Sequence, residues 1–114
     1  MTADSFRALA LALEGVEERA HMGHPDFRVN GRIFATLQAD GARGMVQLPP
    51  EEQAALIEQA PHVFTPAAGA WGRGGSTMVV LAAAETGQVR GALTLAWEAA
   101  IAAAARRPRR RSVE

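Results

Sequence analysis

The chain has 114 residues, no cysteine, 48% hydrophobic residues and a formal net charge of zero. That length holds a single domain able to bury well over half of its unfolded surface, and the lack of cysteine excludes disulfides and thiolate chemistry. No basic segment with an apolar run behind it marks a signal peptide. No uncharged run of about 18 apolar residues marks a membrane helix either, since the Ala-rich last segment carries Arg90 and Glu98, and a soluble cytoplasmic protein is the expectation. All twelve basic residues are arginines, and five of them (Arg106, Arg107, Arg109, Arg110 and Arg111) fall in the last nine positions. Residues 1–105 therefore hold seven Arg against eleven Asp and Glu, a balance of −4 that excludes a uniformly basic, nucleic-acid-coating surface.

In chain order, Asp4 or Ser5 is placed to cap a first helix, whose Phe6, Leu9, Ala10 and Leu13 recur at i, i+3, i+4 and i+7. Gly15 is a natural terminator, and Glu17, Glu18 and Arg19 read as a polar connection. The run from His21 to Leu37 then reads as loop, strand, two-residue turn and strand. Asn30-Gly31 between β-prone runs is the strongest local hairpin signal, because both turn residues take positive φ. With that turn, Val29 lies opposite Arg32 and Phe27 opposite Phe34, which puts Phe27, Val29 and Phe34 on one face and Ile33, Ala35 and Leu37 on the other. A slip of one residue exchanges the faces.

Asp40-Gly41 marks a second turn and residues 45–48 a third strand. Pro49-Pro50-Glu51-Glu52 starts a helix that buries Leu56, Ile57 and Ala60, and Pro61 stops it. A short strand is expected at His62-Val63-Phe64, a Gly-rich loop from Thr65 to Ser76, and a central strand at residues 77–81. The last helix begins near Thr86 and runs toward Arg106, with Val89, Leu93, Ala96, Trp97, Ala100 and Ala104 at helical spacing. Pro108 ends it, so the domain is expected over residues 1–107 and an Arg-rich tail over 108–114. The order α-β-β-β-α-β-β-α gives an α+β two-layer sandwich: a mostly antiparallel five-stranded sheet with helices on one face.

Several chemistries lack their residues. Gly72-Arg73-Gly74-Gly75-Ser76 is Gly-rich but precedes a strand and has no Lys, unlike a phosphate-binding loop; its plain reading is a flexible loop folding Trp71 over the sheet. His21, His24, Asp26 and His62 are the only candidate metal ligands, at loop-like spacing, so no metal and no cofactor is expected. Ser5, Ser76 and Ser112 lie in no nucleophile elbow, and Glu17 and Glu18 do not converge as an acid–base pair; no catalytic set is visible. Trp97 belongs to the buried stripe of the last helix. Trp71 is a candidate for stacking on a base or a partner, and His24, which shapes the loop before the hairpin, is a second candidate contact.

The helix ending near Gly15, followed by His24-Pro25-Asp26-Phe27-Arg28-Val29-x-Gly31-Arg32-x-Phe34-Ala35-x-Leu37, resembles the MmcQ/YjbR-like family. Trp71-Gly72-x-x-Gly75-x-Thr77-x-Val79-x-Leu81 and Leu93-x-x-Ala96-Trp97 resemble it too, so the likeness covers nearly the whole chain. It implies a compact α+β fold grouped with secretion-chaperone-like and frataxin-like sandwiches. It also implies DNA binding through a "double wing" of hairpins, for which Arg28, Arg32 and Arg73 would face phosphates. Residues 19–48 hold four Arg and two Asp, in keeping with that expectation. The tail arginines Arg109, Arg110 and Arg111 are open to three readings: a nucleic-acid arm, a counter-charge for the acidic body, or a plain terminus. Two other functions stand beside DNA binding. One is a chaperone-like module that binds a protein on a sheet face or at the Trp71 loop; the other is an anion- or small-ligand-binding domain.

Overall fold

A computed structural model describes residues 1–106 of the chain, the side chain of His21 excepted. Its elements are α1 (Ala3–Leu11), β1 (Val16–His21), β2 (His24–Val29), β3 (Arg32–Leu37), β4 (Arg43–Gln47), α2 (Pro50–Gln59), β5 (Phe64–Pro66), α3 (Gly69–Arg73), β6 (Ser76–Val80) and α4 (Thr86–Arg106). The six strands form one antiparallel sheet in the order β1-β2-β3-β4-β6-β5. α1 and α4 lie against its central strands. The fold is thus the expected α+β class with one more strand than the sequence suggests.

The extra strand is β1. It takes up Glu17, Glu18 and Arg19, which read as a connection because charges on successive residues erase any alternation of apolar side chains. At a sheet edge that is favourable, since charge discourages pairing with another chain. A second hairpin turn, Met22-Gly23, joins β1 to β2 with φ of +52° and +79°. Asn30-Gly31 forms the turn that its sequence announces, with φ of +53° and +77°.

The β2–β3 register departs from the expected one. Val29 pairs with Arg32, but Phe27 faces Ala35, because the ladder shifts between Phe27 and Arg28 and leaves Phe34 as an extra residue in β3. Such a bulge turns two successive side chains to the same side. Ala35 and Leu37 consequently join Phe27, Val29 and Phe34 on the helix-covered face, and all five are buried. Phe6 and Ala10 of α1 and Val89, Leu93 and Ala96 of α4 complete that core, with the Phe6 and Phe27 rings 6.1 Å apart at 57°. The opposite face carries half-buried Ile33, Met45, Met78 and Val80.

Other local expectations are adjusted in detail. Thr2, not Asp4 or Ser5, caps α1, its Oγ1 accepting from the Ser5 amide at 3.1 Å. β5 starts at Phe64, after a turn at Pro61–Val63. The stretch expected as loop from Thr65 contains the last two residues of β5 and the short α3. Pro108 and the 107/108 domain boundary lie outside the described residues.

In the β3–β4 turn, the Asp40 carboxylate accepts from the Ala42 amide at 2.9 Å and lies 3.5 Å from Arg43. The hydrogen bond from the Ala42 amide is the largest influence; desolvation opposes it, and with the help of Arg43 the Asp40 carboxyl is held below its ordinary value. Because the folded value is the lower one, this contribution to stability is present above the usual carboxylate range and is lost as pH falls through the folded value. A carboxyl-carbon NMR titration is expected to give Asp40 a midpoint below about 3.9, the ordinary aspartate value. Arg43→Ala should raise it part of the way back. A midpoint at or above the ordinary value would contradict the turn geometry.

Candidate functional site: a basic end of the sandwich

Antiparallel pairing gathers one set of strand ends: the Asn30-Gly31 turn, the end of β4, the end of β5 and the start of β6. α4 crosses the sheet and finishes at this end. Apart from Ile101, the two turns before Arg106 (residues 99–105) are alanine, the best helix former, and small side chains leave the space between helix and sheet end unfilled. The result is a cleft of about 230 Å³ with Phe34, Leu48, Ala99 and Ala103 in its walls and Arg32 and Arg106 at its borders.

Both arginines are exposed, and among the described residues neither has a carboxylate within salt-bridge distance. Arg106 also occupies the last turn of α4, where a cation offsets the helix dipole. The sequence then continues Arg107-Pro108-Arg109-Arg110-Arg111. Those residues lie outside the described part, but they are joined covalently to the cleft.

The β5–α3–β6 segment at the same end is held by a dense set of hydrogen bonds. Buried Gln53 of α2 donates through Nε2 to the carbonyls of Gly72 at 3.0 Å and Ser76 at 3.2 Å. Gln47, which also lines the cleft, donates to the Gly74 carbonyl at 2.8 Å and accepts from Ser76 Oγ at 2.8 Å. The Leu48 amide donates to the Gly75 carbonyl at 2.9 Å. This framework presents Arg73 and Trp71 outward; Trp71 is 77% exposed and does not fold over the sheet. Gln53 carried no sequence signal, because a Gln on a helix whose face is otherwise apolar or charged reads as solvent-facing.

The residues expected to act together thus divide. Arg32, Arg73 and Trp71 share the basic end. Arg28 does not belong to it as a free cation: its Nε and Nη2 donate to the two Asp26 oxygens at 2.8 and 3.2 Å, and Asp26 is 0% exposed. The Asp26 hydrogen bond is the main reason that the Arg28 pKa is raised, so its charge is permanent but already engaged. His24 starts β2 at the opposite end of the sheet, its Nδ1 buried with no hydrogen-bond partner among the described residues. Trp97 is half-buried against the core and donates from Nε1 to the Glu14 carbonyl at 2.9 Å. Among the described residues no three His, Cys, Asp or Glu gather as metal ligands. No described helix is long and apolar enough to cross a membrane.

A six-stranded antiparallel sheet with α1 and α4 packed on its central strands and a bulged β2–β3 hairpin defines the class of protein, an α+β sandwich. The particular family follows from the sequence: the YjbR family model matches residues 11–99, and the chain belongs to that family. In fold it is similar to the crystal structure of the Deinococcus radiodurans protein DR2400, which carries the DUF419 domain. The TM-score is 0.71 at 18% identity, covering 84% of this chain and 75% of that one. No curated protein matches the chain.

Proposed function

We propose that this YjbR-family domain is a binding module that contacts the phosphate backbone of DNA through the basic end. The observation that supports this reading is the pairing of Arg32 and Arg106, two exposed arginines without carboxylate partners among the described residues, on one cleft from which an Arg-rich segment continues. Arg73 adds a third exposed cation at that end. The contact is local, since the body carries more acidic than basic residues. Phosphate contacts of this kind give sequence-independent, salt-sensitive affinity.

Fluorescence anisotropy with a labelled duplex, between about 50 and 200 mM salt, tests it, because each lost phosphate contact lowers the salt slope by about 0.9. Arg32→Ala combined with Arg106→Ala should weaken binding at low salt by about tenfold or more and lower the slope by about 2. Arg28→Lys, which keeps a cation for the buried Asp26, should leave both quantities near those of the native chain, because Asp26 already holds the charge at that position. A chain ending at residue 106 should keep the Arg32 dependence. Absence of duplex binding at low salt, or an Arg28 effect equal to that of Arg32, would overturn the reading.

A further inference from the structure

We infer that the basic end is built for single-stranded nucleic acid, with Trp71 as a stacking platform and the cleft as the seat of one unstacked base. This rests on the proposed reading of the same end and specifies its substrate class. Three observations carry it. Trp71 is an aromatic side chain at 77% exposure, accessible to a stacking partner. It does not stand on a loose loop: Gln53 and Gln47 tie the carbonyls of Gly72, Gly74 and Ser76, so the indole is presented on a fixed support. The cleft at the same end of the sheet, linked to the α3 segment through Gln47, joins an accessible apolar lining of Pro49, Ala99 and Ala103 to two guanidinium groups at the rim.

The shape decides between strand forms. A cleft of about 230 Å³ lies below the roughly 300–1,000 Å³ of sites that enclose drug-sized ligands, so it admits one ring system. A duplex keeps its base faces stacked and offers an indole nothing but its edges and phosphates. A single strand offers free base faces to an aromatic ring and its backbone to arginines, which is the division of labour at this end. Arg32 and Arg106 at the rim then take phosphates on either side of a base that rests on the alanine lining.

The test compares a labelled oligothymidylate of about 15 nucleotides, near the upper end of known site sizes, with a duplex of equal length, on the full chain at low salt. The single strand is expected to bind about tenfold tighter than the duplex, and Trp71→Ala to remove about that factor from single-strand affinity alone. Trp71→Phe, which keeps a ring, should retain most of it. The same strand should quench the indole emission of the native chain and not that of Trp71→Phe, whose remaining indole, Trp97, is half-buried. Equal or tighter binding of the duplex, or unchanged single-strand affinity in Trp71→Ala, would overturn the inference while leaving DNA binding in place. Failure of both nucleic acids to bind would overturn both.

Discussion

Gly75→Ala is expected to destabilise the domain by about 4 kcal/mol, the combined scale of a strained φ and a core overlap. Gly75 has φ of +109°, and a Cβ there would lie 1.9 Å from the Leu48 carbonyl oxygen and 3.0 Å from the Gln47 side chain. The nearer obstacle is backbone, so it cannot swing aside as a side chain would. Relief requires separating the end of β4 from the start of β6, and that breaks the Leu48–Gly75 hydrogen bond and the Gln47 contacts that brace α3. Small domains hold about 5–15 kcal/mol in all, and each kcal/mol moves the melting temperature of a domain near this size by about 4–8 °C. The variant should thus melt some 15–30 °C lower by circular dichroism. Gly91→Ala is the matched control: it lies within α4, a Cβ there meets nothing within 4 Å, and it should gain about 0.5–1 kcal/mol from helix propensity. Equal melting temperatures for Gly75→Ala and the native chain would contradict the close approach of β4 and β6.

Phe34→Ala carries the second large effect, a loss of about 3–5 kcal/mol, the usual range for truncating a buried phenylalanine. Phe34 is fully buried as the bulge residue of β3 and also forms a wall of the cleft. Removing the ring joins the cleft to the space vacated in the core, and the strands can close that space only by undoing the bulge. Removal of the bulge would send Ala35 and Leu37 to the opposite face, so the structure resists collapse and the cost should fall high in that range. Denaturant unfolding measures it, with the midpoint lowered and the slope unchanged. Phe34→Leu, which fills much of the volume, should recover more than half. A loss below about 1 kcal/mol would mean that Phe34 is not the core residue that the ladder makes it.

The bulge also marks where the sequence stops being legible. Asn30-Gly31 announces its hairpin because positive φ at both turn residues leaves few alternatives. The phase of the strands beyond it depends on one extra residue, and nothing in Ile33-Phe34-Ala35-Thr36 distinguishes a bulged strand from a regular one. The burial of Phe34, Ala35 and Leu37 together is a tertiary result. Met22-Gly23 hid for a related reason: Met seldom takes positive φ, so the turn lacks its usual residue. α1, α2 and α4 were readable to within a few residues because their apolar spacing, prolines and flanking turns all point the same way. α3 was not, being too short for periodicity and held by side-chain bonds from distant Gln47 and Gln53.

The candidate site was readable residue by residue but not as an arrangement. The expectation of arginines near the hairpin and loop named Arg28, Arg32 and Arg73 alike. Only the ladder shows that Arg28 and Asp26, two apart, project on the same face and pair, while Arg32 lies past the turn with no such partner. Arg106 read as helix-end chemistry, and its place opposite Arg32 depends on the angle at which α4 crosses the sheet. A row of alanines, which raises helix propensity, gives no hint by itself that the space above it stays open.

Chemical-shift mapping of the labelled full chain with an oligothymidylate tests the location of the site most directly. The predicted result is a set of shifts confined to the Asn30-Gly31 turn and Arg32, Gln47 and Leu48, the residues from Trp71 to Ser76, and the last turns of α4. Shifts centred on the Met22-Gly23 end of the sheet or on the Ile33, Met45 and Met78 face, or restricted to residues 107–114, would contradict it.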